Sequence, residues 1–105
     1  MLQVLQHQGY LCTLTPASGD MGVDIVAVNG SNKLAVQCKR QTRHVSRRAV
    51  ADVAAGKLHY GCENAAVVTN SWFTPSARRL ARETRTALVD RETFAAWIEA
   101  FQAKG

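Results

Sequence analysis

The stretch from Gly22 to Arg40, GVDIVAVNGSNKLAVQCKR, restricts the fold more than any other part of the chain. Two apolar, β-branched runs flank Asn29-Gly30-Ser31-Asn32, a turn composition, and together they predict a β-hairpin. Side chains along a strand alternate between faces. Val23, Ile25, Ala27, Leu34, Val36 and Cys38 therefore make one apolar face suited to a packed helix, with the Cys38 side chain in the core. The other face carries Asp24, Gln37 and Lys39. A turn on Asn29-Gly30 sets Asp24 opposite Ala35, and a turn on Gly30-Ser31 sets it opposite Gln37. Both registers leave the three polar residues on one face, whereas a three-residue loop would separate them.

The rest of the chain supplies the layers around this hairpin. Met1 to Gln8 reads as the end of a helix stopped at Gly9, and Tyr10 to Thr15 as a strand ending at Pro16, before the loop ASGDMG. Ser46 caps a helix running to about His59, with Val50, Val53, Ala54 and Leu58 on one face. AAVVTN is a short apolar strand, Thr74-Pro75 starts a helix, and TALVD is a last strand. Asp90 caps a helix whose Phe94, Trp97, Ile98 and Phe101 recur at i, i+3, i+4 and i+7 as core. The order α-β-β-β-α-β-α-β-α implies an α/β fold, a mixed sheet with an antiparallel hairpin at one side and crossover helices. At 105 residues the chain reads as one domain, 1–105, that buries roughly two-thirds of its unfolded surface without staples.

Charge and cysteine usage narrow the function classes. The formal charge is +5 and the pI about 9.6. Much of the excess falls in RQTRHVSRR, where Arg40, Arg43, Arg47, Arg48 and His44 occur with no acid. That run suits either a solvated loop or a patch contacting phosphates. Arg78, Arg82 and Arg85 recur on one helix face and read as a solvated surface. Cys12, Cys38 and Cys62 are odd in number and far apart, which favours small buried residues in a reducing cytoplasm over a disulfide framework or a zinc site. No run reaches the roughly 20 apolar residues of a membrane span, and Met1 to Gly19 lacks the pattern of a signal peptide. A soluble cytoplasmic protein is expected.

An acid, an amide and an amine on one strand pair have two uses. One is an Asp24–Lys39 salt bridge at a sheet edge. The other is a divalent-metal site, with Asp24 as a hard oxygen ligand for Mg²⁺, Gln37 as a weaker neutral one, and Lys39 as a cation that orients water or offsets charge on a phosphate.

Asp24 followed by Gln37-Cys38-Lys39 resembles the D...(E/Q)-x-K signature of the PD-(D/E)xK nuclease superfamily, in its Gln variant. GYLCTLTPASGDMGVDIVA, AVQCKRQ, VSRRAVADVAAGKLHYGCENAAVVTN and FTPSARRLA resemble, in order, segments of the Mrr-like restriction endonuclease catalytic domain across nearly the whole chain. The resemblance implies a restriction-endonuclease-like three-layer α/β/α fold with a central mixed sheet of about five strands. It further implies hydrolysis of DNA phosphodiesters with Mg²⁺, for which Mn²⁺ can substitute. Position by position, Asp24 matches the metal-binding acid, Gln37 the Glu/Gln position and Lys39 the catalytic lysine, and the main-chain carbonyl of Cys38 is a further ligand. Arg40, Arg43, Arg47 and Arg48 are then expected beside the site, along the DNA backbone. Ser18, Gly19, Asp20 and Gly22 match a supporting loop.

Such domains often begin with a longer helix carrying an acid, at a position that here would precede Met1. The resemblance thus implies a piece of a longer protein lacking the start of its first helix, with Asp24 as the one central carboxylate. DNA is the implied partner, a homodimer would serve two strands, and target recognition would reside in another domain. Two other readings stay open: a DNA-docking domain that has lost activity, suggested by the neutral Gln37, and a junction-resolving or repair nuclease.

Overall fold

In the computed structural model, which describes residues 1–15 and 22–104 with side chains for all but Leu2 and 101–104, the hairpin turns on Gly30-Ser31. Gly30 takes a φ of 62°, a region glycine enters without steric cost. The hairpin pairs β2 (Ile25–Asn29) with β3 (Asn32–Lys39), and Ile25 lies opposite Val36. The preceding residue breaks this register. The Asp24 N–H donates to the Val36 carbonyl at 2.8 Å, so two consecutive residues face one residue of β3. That is a β-bulge, which bends a strand and re-aims its side chains.

The bulge changes which face Val23 occupies. Ile25, Ala27, Leu34 and Val36 pack on one side of the sheet as the alternation predicts, but Val23 joins the cluster on the opposite side with Ala35. One extra residue inverts the parity of everything before it.

The other elements follow in the expected order: α1 (Leu2–His7), β1 (Leu11–Leu14), the hairpin, α2 (Arg47–His59), β4 (Asn64–Thr69), α3 (Pro75–Thr84), β5 (Thr86–Val89) and α4 (Arg91–Lys104). The strands form one sheet in the order β1-β2-β3-β4-β5, antiparallel from β1 to β3 and parallel from β3 to β5. Both parallel steps move in the same direction across the sheet, so crossovers of one hand set α2 and α3 on the same face. There Val50, Val53 and Ala77 pack on Ala35, Ala65 and Val67. On the other face, Leu5 of α1 and Phe94 and Trp97 of α4 cover Ile25, Val36, Val68 and Val89. The result is a three-layer α/β/α fold.

Local signals set most boundaries. The Thr74 hydroxyl accepts from the Ala77 N–H at 3.1 Å with Pro75 in the first helical position, and an Asp90 carboxylate oxygen accepts from the Thr93 N–H at 3.0 Å. Ser46 occupies the N-cap of α2 but makes no side-chain cap bond. Leu58, expected on the buried face of α2, is 76% exposed. The buried stripe runs through Ala49, Val50, Val53 and Gly56, and Leu58 lies about 140° around the helix from Val53. Arg85 sits beyond the end of α3, at its C-cap in a left-handed conformation, and so leaves the helix face expected for it. Phe94, Trp97 and Ile98 are half-buried. Among the described residues, no helix is long and apolar enough to cross a membrane.

Candidate active site

The bulge opens a gap where β2 parts from β3, and Asp24 fills it. Its main chain is held from the β1 side, since Asp24 O accepts from the Thr15 N–H at 3.0 Å and Val23 O accepts from the Thr15 hydroxyl at 2.6 Å. Its carboxylate turns to β3, where Oδ2 accepts from the Cys38 N–H at 2.8 Å. A strand residue directs its N–H and C=O to the same side, so the Cys38 carbonyl faces this gap as well. Among the described residues no ion pair joins Asp24 to Lys39, and the sheet-edge salt bridge is not formed.

Gln37 and Lys39 lie on the α2 side of β3, with Ala35. The three polar residues therefore do not share one face as the simple alternation predicts. Asp24 instead reaches the Cys38 N–H from the β2 side, while Gln37 and Lys39 flank Cys38 in sequence with their side chains on the α2 face. Gln37 is 8% exposed, and its Oε1 is buried with no hydrogen-bond partner. A buried acceptor left without a donor costs about 1–3 kcal/mol, and a cation or the water it carries removes that cost. Asp24, the orphaned Gln37 oxygen and the Cys38 carbonyl are all hard oxygen donors, a set that fits Mg²⁺ or Mn²⁺. Among the described residues, no group of three or more His, Cys, Asp or Glu is placed to hold a metal. With one carboxylate, such a site binds its ion weakly until phosphate oxygens complete the shell.

Lys39 is half-exposed and lines a cleft of about 380 Å³ with Arg43, His44, Arg48 and Asp52. On the other face of the sheet, Lys39, Arg40, Cys38 and Asn70 line a second cleft of about 360 Å³. The structure thus brings Arg40, Arg43 and Arg48 beside Lys39. Arg47 is exposed and lines neither cleft. The Cys38 side chain is exposed, not in the core, because its position on β3 lies past the cover that α1 and α4 give Leu34 and Val36. Its thiol still lies low enough in the cleft that loss of solvent first, and the Asp24 charge second, push its pKa up.

Gly22 sets the depth of the site. It has a φ of 61°, and a Cβ there would sit 2.7 Å from the Asp52 Cβ and 2.9 Å from the Asp52 carbonyl carbon. The chain can therefore run against α2 two residues before Asp24 only because this residue lacks a side chain. Ser18, Gly19 and Asp20 lie outside the described residues.

Sequence reasoning missed two features. Asp52 brings a second carboxylate to the Lys39 cleft; its i, i+4 spacing from Arg48 was a visible cue. Thr69, Asn70 and Ser71 at the end of β4 bond the segment after Lys39, and the polar ending of the apolar run AAVVTN was the available signal.

Comparisons with known proteins agree with this fold. Among solved structures, the chain is similar to AF1548, a protein of unknown function (TM-score 0.72, 16% identity, 85% of this chain and 53% of that one). It is similar to the MspJI restriction endonuclease in complex with a 27-mer oligonucleotide (0.66, 27%, 91% and 24%). It is also similar to AspBHI, a DNA modification-dependent restriction endonuclease (0.69, 15%, 98% and 34%). The chain spans about half, a quarter and a third of the lengths of these three. No curated protein matches it significantly. Residues 1–98 match the Mrr catalytic-domain family, described as restriction endonuclease. With that match over nearly its whole length and the same fold in two restriction endonucleases, the chain belongs to the Mrr-type restriction endonuclease family.

Proposed function

We propose that this chain is a Mg²⁺-dependent DNA endonuclease domain of restriction type. The observation that carries the reading is the buried, unpartnered Oε1 of Gln37, next in sequence to the amide that holds Asp24. Asp24, Gln37 Oε1 and the Cys38 carbonyl would hold the cation. When bound, that cation supplies Lewis-acid stabilisation of the phosphate charge. Lys39 places a positive charge beside the scissile phosphate, where it orients the attacking water and offsets negative charge that builds on the phosphoryl oxygens. Arg43 and Arg48 follow the neighbouring phosphates in the Lys39 cleft, which the first residues of α2 also line, and Arg40 reaches the backbone from the opposite side of Lys39. The oligonucleotide bound to MspJI supports DNA as the substrate class. We assign cutting of both strands to a homodimer, because two strands need two active sites, and target choice to a separate domain.

Lys39, Arg40, Arg43 and Arg48 each neutralising one phosphate give a slope of log affinity against log salt of about −3.6 on duplex DNA. Fluorescence anisotropy over a salt series checks this, and Arg48→Ala should make the slope shallower by about 0.9. A slope near zero would remove DNA from the account. A second reading, a docking domain without activity, is favoured by the neutral Gln37. It requires the same salt slope and no new DNA ends in Mg²⁺ or Mn²⁺.

A further inference from the structure

The segment 40–44, directly after Lys39, carries Arg40, Arg43 and His44, and it has left the β-ladder, which pairs β3 with β4 as far as Lys39 and Thr69. A loop this rich in like charge repels itself and would be expected to spread. It is instead tied down at successive main-chain atoms by three consecutive side chains from the end of β4. The Thr69 hydroxyl donates to Lys39 O at 2.6 Å. Asn70 Oδ1 accepts from the Gln41 N–H at 3.0 Å. The Ser71 hydroxyl reaches Thr42 O at 3.2 Å and Arg43 O at 2.9 Å. Thr69 and Ser71 are 2% and 4% exposed, so these bonds are shielded from competing water. From Val45 onward the main chain takes over: Val45 N–H donates to Trp72 O at 2.7 Å and Thr74 N–H to Val45 O at 3.0 Å.

Every atom of the segment that this clamp uses belongs to its main chain. Among the described residues, no side-chain hydrogen bond or ion pair occupies the guanidinium groups of Arg40 or Arg43. The loop is thus fixed while its charges stay available. Charged side chains on a pre-ordered backbone bind a polyanion with less ordering cost than the same side chains on a mobile loop.

We propose that Thr69, Asn70 and Ser71 are positioning residues for DNA. They fix the basic segment by its main chain, so that Arg40 and Arg43 meet the phosphates already ordered and Lys39 keeps its place at the end of β3. The inference rests on the DNA reading above but not on cleavage.

It is tested by anisotropy with a labelled duplex in EDTA, on variants whose folding is checked by thermal melting. Ser71→Ala should weaken binding about threefold to tenfold, since the one hydroxyl proton shared between Thr42 O and Arg43 O is lost, while Ser71→Thr, which keeps the hydroxyl, restores it. Asn70→Ala, at an exposed position that poses no folding risk, should weaken binding about threefold. If Ser71 acts through the arginine it holds, Ser71→Ala added to Arg43→Ala should cost much less than it does alone. Equal losses in both backgrounds, or folded Ser71→Ala and Asn70→Ala proteins that bind like wild type, would overturn the inference. Failure of the wild type to bind DNA would instead overturn the functional reading beneath it.

Discussion

Lys39→Ala is expected to slow DNA cleavage by about 10²–10⁴-fold, the range for removing one group that transfers a proton or stabilises charge in a transition state. Its effect on the fold should be small. Lys39 is half-exposed at the last residue of β3, and its backbone is held by β4 pairing and the Thr69 hydroxyl, none of which involves the ammonium. Losing one cation should also make the salt slope of DNA binding shallower by about 0.9. Single-turnover cleavage of plasmid, thermal melting and anisotropy on the same preparation separate these effects. A folded Lys39→Ala protein that cuts at the wild-type rate would remove this lysine from the chemistry.

Gly22→Ala should lower stability by about 3 kcal/mol, or roughly 12–24 °C in Tm for a chain of this size. Two causes add. Alanine in a left-handed conformation costs about 1 kcal/mol, and its Cβ runs into the Asp52 main chain, which a rotamer change cannot relieve. Gly30→Ala is the control. Gly30 has nearly the same φ, 62°, but a Cβ there meets nothing within 4 Å, so only the conformational cost of about 1 kcal/mol applies. Equal losses at the two positions in thermal melts would show that the approach of Gly22 to α2 carries no energy. The same clash forces the loop away from α2 and moves Asp24, so Gly22→Ala should lose cleavage as well as stability.

The hairpin, its turn and the order of elements were legible because each rests on a local rule. Asn-Gly-Ser-Asn marks a turn, Thr74-Pro75 and Asp90 start helices, and alternation separates Ile25, Ala27 and Val36 from Ala35. The bulge was not legible. Nothing in Gly22-Val23-Asp24 announces an extra residue; it arises from the way β2 must leave β3 while Asp24 stays bonded to Thr15. One unforeseen residue was enough to move Val23 to the other face and to bring Asp24 to the Cys38 N–H from the β2 side. Cys38 failed for a related reason. Alternation gives the face a side chain points to, but not whether a helix reaches far enough to cover it. The arginine patch was readable as charge, while the polar ending of AAVVTN marked the clamp residues without showing their partners, main-chain atoms about 30 residues away.

In the proposed function Asp24 is the ligand that holds the cation, and Asp24→Asn probes it with little steric change. The asparagine oxygen can still accept from the Cys38 N–H, so the substitution removes the charge and leaves the local bond. Supercoiled plasmid, methylated and unmethylated, is incubated with wild type or Asp24→Asn in Mg²⁺ or in EDTA, and new DNA ends are counted. The account predicts ends only with wild type in Mg²⁺. Equal cutting by the folded Asp24→Asn protein, cutting that persists in EDTA, or no cutting by wild type on any substrate would contradict it.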